Sequence, residues 1–348
     1  MKYIFSGFLG LIITAIFFSL QGCGGDSSDK PVTNDTIVVG DSIQQQIVAL
    51  TGKIADDPEN ADLYHERAKL FLLKSQIDEA SEDMRKVISI DTTKIEYFIT
   101  LTDVYFLTGR AGLAKAAIEK GLSIDPKNVD ALLKVAELML YFSDQRKCIE
   151  KVNEALTINK DAAKGYFLRG FALKELGDTA KAINDFQLTV DKDPEYYHAY
   201  IQLALLFSIK KNPLAVEYFD NALNLNPQSV EAWYGIGMYY QETGDYNKAF
   251  EAYNNLLAID PNNKFAHYNM GFIHFQYLEV YAEAAKHFGN AILADSNYIE
   301  AIYMRGLSRE KLGDLNNAEV DYHHALRLRE NYDKALMGIS RIEELKRK

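Results

Sequence analysis

The stretch GDYNKAFEAYNNLLAIDPNN, residues 244–263, decides the fold because versions of it recur along the chain. Similar stretches begin at Gly177 (GDTAKAINDFQLTVDKDPEY) and at Gly313 (GDLNNAEVDYHHALRLRENY). Asp-Pro dipeptides recur with successive prolines 68, 68 and 67 residues apart, at Pro58, Pro126, Pro194 and Pro261. These spacings equal two units of about 34 residues, and a fixed period of this size predicts an array of repeated helical units.

Aligned at this period, the chain divides into eight units, each with two amphipathic helices. Positions 4, 7, 8 and 11 of a unit are predicted core, because they share one face of a helix. Glycine at unit position 15, such as Gly244, is expected to end the first helix with a left-handed backbone. The aspartate that follows, such as Asp245, is expected to cap the second helix. The units begin at Ala61, Ile95, Val129, Ala163, Tyr197, Val230, Lys264 and Ile299.

This pattern resembles the tetratricopeptide repeat family over residues 61–332. The resemblance implies an all-α fold, a right-handed α-solenoid superhelix of about eight helical hairpins. We expect a half repeat at residues 42–60 and a capping helix at residues 333–348, because a terminal hairpin would otherwise expose its apolar face. The predicted solenoid therefore spans residues 42–348.

Residues 1–22 are predicted to be an export signal. An apolar stretch without charge runs from residue 4 to residue 20 after the single charge of Lys2, which is typical of a signal peptide. LQGC, residues 20–23, resembles the lipobox of bacterial lipoproteins, which implies that Cys23 is lipidated. An uncleaved membrane anchor around an ordinary cysteine is the alternative. Residues 23–41 are rich in Gly, Ser and Asp and are predicted to form a flexible linker.

The lipoprotein resemblance also implies a location in the bacterial cell envelope. Gly24 stands where an Asp would retain an enteric lipoprotein in the inner membrane, so the outer membrane is favoured. The face of that membrane stays open. A soluble intracellular array is the competing interpretation, and the first 23 residues oppose it.

Composition and motifs predict a chain without catalysis, cofactor or metal ion. The net charge of −11 disfavours nucleic acid, which binds basic surfaces. The sequence contains no phosphate-binding glycine loop, zinc-binding helix motif or nucleophile turn. His267 and His274 occupy core positions, and adjacent side chains such as His323 and His324 do not converge on one metal. Asp and Glu are expected mostly at solvated helix positions.

The family resemblance implies a concave groove, lined by first-helix positions 2, 5, 9, 12 and 13, that binds peptides or protein segments. Positions 5 and 9 lie one turn apart on one helix face. In the last five units both positions are apolar or aromatic, at Phe167, Phe171, Ile201, Leu205, Tyr234, Met238, Tyr268, Phe272, Tyr303 and Leu307. Phe265 and Phe275 extend this stripe, and position 2 adds Glu96, Asp130, Glu231 and Glu300. We expect an exposed groove for a protein segment with apolar anchors and some basic residues.

The predicted function is therefore a non-catalytic scaffold or adaptor, tethered to the bacterial cell envelope by its N-terminal lipid, with a protein or peptide partner. A glycan-binding outer-membrane lipoprotein of the starch-utilisation type is the alternative, because aromatic rings stack on sugars. Those proteins carry large insertions, whereas units five and seven here differ from the period by one residue. Homodimerisation through an end unit stays open.

Overall fold

The computed structural model describes residues 34–347, which form eighteen α-helices and no strand. The predicted signal peptide and Cys23 lie outside the described residues. Helix α1 is Asn34–Asp56 and helix α18 is Asp333–Lys346. The helices between them pair into hairpins one to eight: α2 (Ala61–Leu73) with α3 (Ile77–Ile90), α4 (Ile95–Leu107) with α5 (Ala111–Ile124), α6 (Val129–Tyr141) with α7 (Gln145–Ile158), α8 (Ala163–Glu175) with α9 (Thr179–Lys192), α10 (Tyr197–Ile209) with α11 (Leu214–Leu225), α12 (Val230–Thr243) with α13 (Tyr246–Ile259), α14 (Lys264–Gln276) with α15 (Tyr281–Ala294), and α16 (Ile299–Lys311) with α17 (Leu315–Leu328).

The chain forms two compact units, of which the first ends at Ala199 and the second begins at Tyr200. In the first unit each helix from α1 to α9 packs against the next, and in the second unit the same holds from α11 to α18. An amphipathic hairpin cannot bury its apolar face alone, and stacking on its neighbours buries it. The predicted all-α fold of helical hairpins is confirmed.

Each of the eight hairpin turns contains one residue with a left-handed backbone. The predicted glycines are confirmed there, with φ between 72° and 87°, at Gly109, Gly177, Gly244 and Gly313. Residues with a side chain take the same role in the other hairpins, with φ between 51° and 58°, at Ser75, Ser143, Lys211 and Glu279. A left-handed residue stops the first helix and turns the chain into the second.

Side-chain caps begin most of the second helices that follow a turn glycine. The Asp245 carboxylate accepts a hydrogen bond from the Lys248 backbone N–H at 3.3 Å. Asp178 and Asp314 cap their helices in the same way, so these predicted caps are confirmed. Ser229 and Asn263 cap first helices, which satisfies backbone donors that would otherwise lack a partner.

Helix α1 begins earlier than the sequence predicts. The prediction of a flexible linker at residues 23–41 is wrong for residues 34–41, which continue this helix. No proline lies between Pro31 and Pro58, and Ile47 and Ile54 are buried. Because these contacts anchor the helix, each residue added in front of them gains a backbone hydrogen bond without a new nucleation step.

Small residues at position 8 let the two helices of a hairpin approach closely. A Cβ added to Gly237 would lie 2.4 Å from the Tyr253 ring. Thr102 is the exception, and its buried hydroxyl donates to the Phe98 carbonyl at 2.6 Å. Cys148 is a packing residue, since its side chain is fully buried and burial raises the pKa of its thiol to about 12.

Arginine at position 7 pairs with aspartate at position 23 inside three hairpins. The ion-pair distances are 2.6–2.7 Å, in Arg67–Asp83, Arg169–Asp185 and Arg305–Asp321. The expectation that acidic residues lie at solvated positions is wrong for these aspartates, which are at most 4% exposed. Burial is tolerated because a bidentate guanidinium satisfies both carboxylate oxygens.

The side chain at position 4 commonly ties the first helix to the turn before it. The Trp233 indole N–H donates to the Pro227 carbonyl at 3.3 Å, and the Tyr166 hydroxyl donates to the Lys160 carbonyl at 3.1 Å. The His267 Nε2 lies 3.1 Å from the Pro261 carbonyl oxygen. In each case the acceptor is six residues earlier, so one bond fixes the step from hairpin to hairpin.

Helix α18 caps hairpin eight. Ala335, Gly338 and Ile342 are buried against it, and the Arg341 guanidinium donates to the Glu310 carboxylate at 2.9 Å. The predicted capping helix is confirmed. Of the helices described here, none has the length and apolar character that a membrane span requires.

Candidate protein-binding surface

The predicted groove residues of the first compact unit, which ends at Ala199, face inward rather than toward solvent. Phe167 and Phe171 are 3% and 7% exposed. The Phe167 ring packs against the rings of Tyr196 and Phe186, at centroid distances of 4.9 and 5.6 Å. The expectation of an exposed stripe is therefore wrong at these two residues. Neighbouring rings cover Phe167, and Lys174 Nζ lies 4.2 Å from the centroid of the Phe171 ring.

In the second compact unit, which begins at Tyr200, most of the predicted groove residues reach the surface. Ile201 is 1% exposed, so the expectation is wrong there as well. Phe265 is 39% exposed. The others are half-buried, at Leu205, Tyr234, Met238, Tyr268, Phe272, Phe275, Tyr303 and Leu307.

Nine side chains of helices α12, α14 and α16 form three rows, which we call the 2-5-9 surface after their positions in the repeat. Position 2 contributes Glu231, Phe265 and Glu300, position 5 contributes Tyr234, Tyr268 and Tyr303, and position 9 contributes Met238, Phe272 and Leu307.

Ring-on-ring contacts hold the middle of the 2-5-9 surface. Tyr268 stacks on Phe272 at 6.5 Å between centroids, one helical turn away. Tyr298 lies 5.1 Å from Tyr268 and 6.2 Å from Phe265. Phe265 in turn lies 6.5 Å from Tyr234. Because each ring is held by another, the surface is rigid before any partner arrives.

Tyr298 belongs to this surface, and the sequence analysis missed it. It occupies the last position of its unit, where Tyr196 and Tyr332 occupy the same place in theirs. Tyr332 lies 5.8 Å from Tyr303, so the last-position ring supports the position-5 ring of the same unit. The recurrence of tyrosine at this position is the signal that would have found it.

A buried amide below the surface fixes Tyr234. The Asn269 amide nitrogen lies 3.2 Å from the Tyr234 hydroxyl and 3.2 Å from the Tyr253 hydroxyl. Tyr253 donates onward to the Gln241 side-chain oxygen at 3.0 Å. The network satisfies buried polar groups and sets the orientation of the half-buried Tyr234 ring. The repeat pattern in the sequence does not predict this network.

Two carboxylates on the 2-5-9 surface have no counter-ion. Within residues 34–347, neither Glu231 nor Glu300 makes a hydrogen bond or an ion pair. Burial raises the pKa of the Glu231 carboxyl. Burial and then the nearby Glu300 charge raise the pKa of the Tyr268 hydroxyl. The adjacent cation is already engaged, since Lys264 Nζ lies 2.6 Å from the Asp295 carboxylate.

The first compact unit contains a cluster in which lysines and carboxylates compensate each other. Lys134 Nζ lies 2.8 Å from Asp103 and 2.9 Å from Glu137, and Lys164 also pairs with Glu137. Burial opposes ionisation of Glu137, but the two lysines outweigh it and lower the pKa of its carboxyl. Each carboxylate of this cluster has a lysine beside it, in contrast to Glu231 and Glu300.

The described part of the chain contains no group of three His, Cys, Asp or Glu side chains placed to hold a metal ion. The 2-5-9 surface offers apolar rings, the hydroxyls of Tyr268 and Tyr303, which make no hydrogen bond within the described residues, and two unpaired carboxylates. These groups can bind apolar and basic parts of a ligand.

Family models of the tetratricopeptide repeat match five segments, residues 61–94, 95–128, 164–196, 230–263 and 299–332. Each segment coincides with one hairpin. The prediction of tetratricopeptide repeats is therefore confirmed. Proteins built from these repeats generally mediate protein–protein interaction.

Solved structures share the fold at low identity. One is a tetratricopeptide repeat protein from Parabacteroides merdae, with 18% identity over 72% of this chain and 98% of that one, at a TM-score of 0.50. Another is pilF of Pseudomonas aeruginosa, with 16% identity over 58% of this chain and 93% of that one, at a TM-score of 0.52. These likenesses show the fold alone.

Among curated proteins, the DnaJ homolog subfamily C member 7 homolog of Dictyostelium discoideum is 23% identical over 298 residues. The match covers 76% of this chain and 55% of the relative. A tetratricopeptide repeat-containing protein of Methanocaldococcus jannaschii is 23% identical over 73% of this chain and 45% of its own length. The chain thus spans about half the length of these relatives.

Proposed function

We propose that the chain is a non-catalytic scaffold that binds a protein segment on the 2-5-9 surface. The observation that carries this proposal is a partly exposed patch of mutually packed aromatic rings beside two unpaired carboxylates, on repeats whose general role is protein interaction. Rings that are already fixed lose little conformational entropy on binding. A segment that covers Phe265 and Tyr268 therefore gains apolar burial at a low ordering cost.

The carboxylates define the chemistry of this segment. Glu231 and Glu300 flank Phe265 along the position-2 row and lack counter-ions. A partner with an apolar anchor and a lysine or arginine beside it would compensate a charge that is otherwise partly desolvated. An acidic partner would add like charges at the same place and would be rejected.

The same proposal places the scaffold in the bacterial cell envelope, held by a lipid on Cys23. Its support is the apolar leader and the sequence LQGC at residues 20–23. Multiple acylation of Cys23 would anchor the chain stably, since each buried methylene contributes about 0.8 kcal/mol. The partner is then another envelope protein, and the outer membrane is the favoured site.

Site-specific photo-crosslinking in cells that express the full chain tests this function. The probe replaces Phe265, which is accessible at 39% exposure, and a control probe replaces Leu293, which is 86% exposed on α15. We expect one dominant protein adduct from position 265 and none from position 293. The adduct should disappear in the Phe272→Ala background and in the Glu231→Gln/Glu300→Gln background.

Three results would redirect the proposal. Equal adducts from both positions would indicate non-specific capture. Absence of a protein adduct, together with binding of oligosaccharides by the purified chain, would favour the glycan-binding alternative. An unchanged adduct in the Cys23→Ala chain would show that partner binding does not require a lipid on Cys23. The binding proposal would then stand, and the proposed lipid tether would be dropped.

A further inference from the structure

Three histidine rings stand in a row between the two helices of hairpin seven. The His287 ring on α15 is the middle one, 6.1 Å from the His267 ring and 5.4 Å from the His274 ring on α14. The His274 and His287 planes are nearly parallel, at 13°. Phe250 of α13 closes the row, 4.7 Å from His274. We call this row the histidine stack.

Each ring of the histidine stack has a buried nitrogen without a partner. The Nδ1 atoms of all three histidines are shielded from solvent and make no hydrogen bond within the described chain. His267 Nε2 must carry its proton, because the Pro261 carbonyl oxygen beside it can only accept. Its Nδ1 is then a bare lone pair, and a proton added there would point at no acceptor.

The stack replaces an ion pair that other hairpins use. A Cβ added to Gly271 would touch Phe288, as one on Gly170 would touch Phe186, so His287 occupies the place that Asp185 occupies in hairpin four. Hairpin seven carries Met270 where hairpin four carries Arg169. Its two helices therefore meet through neutral imidazoles instead of a permanent salt bridge.

The surrounding charges do not offset protonation of three rings. On α15 itself, Glu283 and Lys286 lie near the stack and act in opposite directions. Arg305 of α16 lies beside Gly289 of α15 and is engaged by Asp321, and Lys264 of α14 is engaged by Asp295. From α13 the facing ring is that of Phe250. Burial, followed by the neighbouring His274 and His267, lowers the pKa of His287 to about 4, and burial lowers that of His274.

The direction of the pH effect follows from these shifts. An exposed histidine takes up a proton near pH 6.5. Above that pH the rings are unprotonated in both the closed and the open form of the hairpin, so a change of pH does not alter the balance between the two forms. As the pH falls from about 6.5 toward 4, the open form binds protons that the closed form excludes, so the closed form loses stability.

We propose that the histidine stack is an acid-sensitive joint that keeps hairpin seven closed at neutral pH and loosens it in acid. Helix α14 carries His267 and His274 of the histidine stack on one face. On another face it carries Phe265, Tyr268 and Phe272 of the 2-5-9 surface. If the proposed function holds, acid also releases the bound segment. The opening itself does not depend on a partner.

Nuclear magnetic resonance of the full chain in detergent, with ¹⁵N-labelled histidine, tests the first step. We expect His287 to titrate near pH 4. A His287 imidazole that titrates at the value of an ordinary exposed histidine while the protein stays folded would overturn the proposal. This measurement needs no variant.

Amide hydrogen exchange tests the opening. After correction for intrinsic rates, amides of α14 and α15 should exchange faster as the pH falls from 6.5 to 4.5, by about tenfold per pH unit for each histidine that must take up a proton. Amides of α12 and α13 serve as the reference. The matched variant is His287→Ala, since Ala117 and Ala252 fill the same position in hairpins two and six. It should lose most of the acid acceleration, and an acceleration equal to wild type would refute the joint.

Discussion

At the scale of single residues, a buried ion pair makes its hairpin sensitive to the loss of one partner. The Arg169 guanidinium donates two hydrogen bonds to Asp185, at 2.7 and 2.8 Å, and Asp185 is 3% exposed. The attraction offsets the desolvation of both groups, so the intact pair adds little net stability. Removal of one partner is strongly destabilising, because the charge of the other partner stays buried without compensation.

Arg169→Ala should therefore lower the free energy of unfolding by about 3–5 kcal/mol, the loss typical of a buried charge left unpaired. Urea unfolding followed by circular dichroism measures it. The control is Glu154→Ala, which breaks the exposed Lys151–Glu154 pair at 2.8 Å and should change stability by about 0.5 kcal/mol or less. Equal losses in the two variants would show that Asp185 finds another partner or water.

At the scale of the element, the hairpin turn is the recurrent point of strain. Every turn needs one left-handed residue, but only four of the eight have glycine. A residue with a Cβ costs roughly 1–2 kcal/mol in this conformation. The turns at Ser75, Ser143, Lys211 and Glu279 are therefore less favourable than those at the glycines.

Ser143→Gly should raise the free energy of unfolding by about 0.5–1 kcal/mol, because the relief of the left-handed penalty outweighs the opposing gain in unfolded-state entropy. Gly244→Ala is the reciprocal change, at a φ of 87°, and should lower it by about 1 kcal/mol. Thermal unfolding of both variants beside the wild type gives the signs. A shift of the same sign in both would contradict the strain argument.

Local signals explain why much of the fold could be predicted from the sequence. The turn glycine and the capping aspartate act within one turn of helix, so Gly244 and Asp245 announce their roles by spacing alone. The exposure of the predicted groove residues is not local. Phe167 is covered by Tyr196, which lies 29 residues later, and Tyr234 is oriented by Asn269 of the next hairpin. Such contacts join residues far apart in the sequence, so the periodicity of a single helix does not reveal them.

At the scale of the whole molecule, the array depends on how its last hairpin is closed. Tyr322 of α17 is fully buried, and its hydroxyl donates to Glu310 at 2.5 Å. Helix α18 passes over this ring at Gly338, where an added Cβ would lie 2.4 Å from it. Because hairpins stabilise their neighbours, a displaced cap weakens the stack from its end.

Gly338→Ala should lower the stability of hairpin eight by about 1–3 kcal/mol through overpacking against Tyr322. Hydrogen exchange of the α16 and α17 amides reports it. The matched control is Gly289→Ala on α15, where the nearest atom, Cδ of Arg305, is 3.9 Å from the added Cβ. That change should be neutral or stabilising by up to about 1 kcal/mol. Protection of hairpin eight that is unchanged by Gly338→Ala would show that α18 does not close the stack.

The indole of Trp233, which donates a hydrogen bond to the Pro227 carbonyl, is a local fluorescence probe. It is the single tryptophan among 348 residues, so its emission reports on hairpin six alone, whereas circular dichroism averages over all the helices. A linear array melts as one body only if the coupling between neighbours exceeds the differences between repeats. Two melting curves recorded on one unlabelled sample, by fluorescence and by dichroism, therefore measure the cooperativity of the array directly.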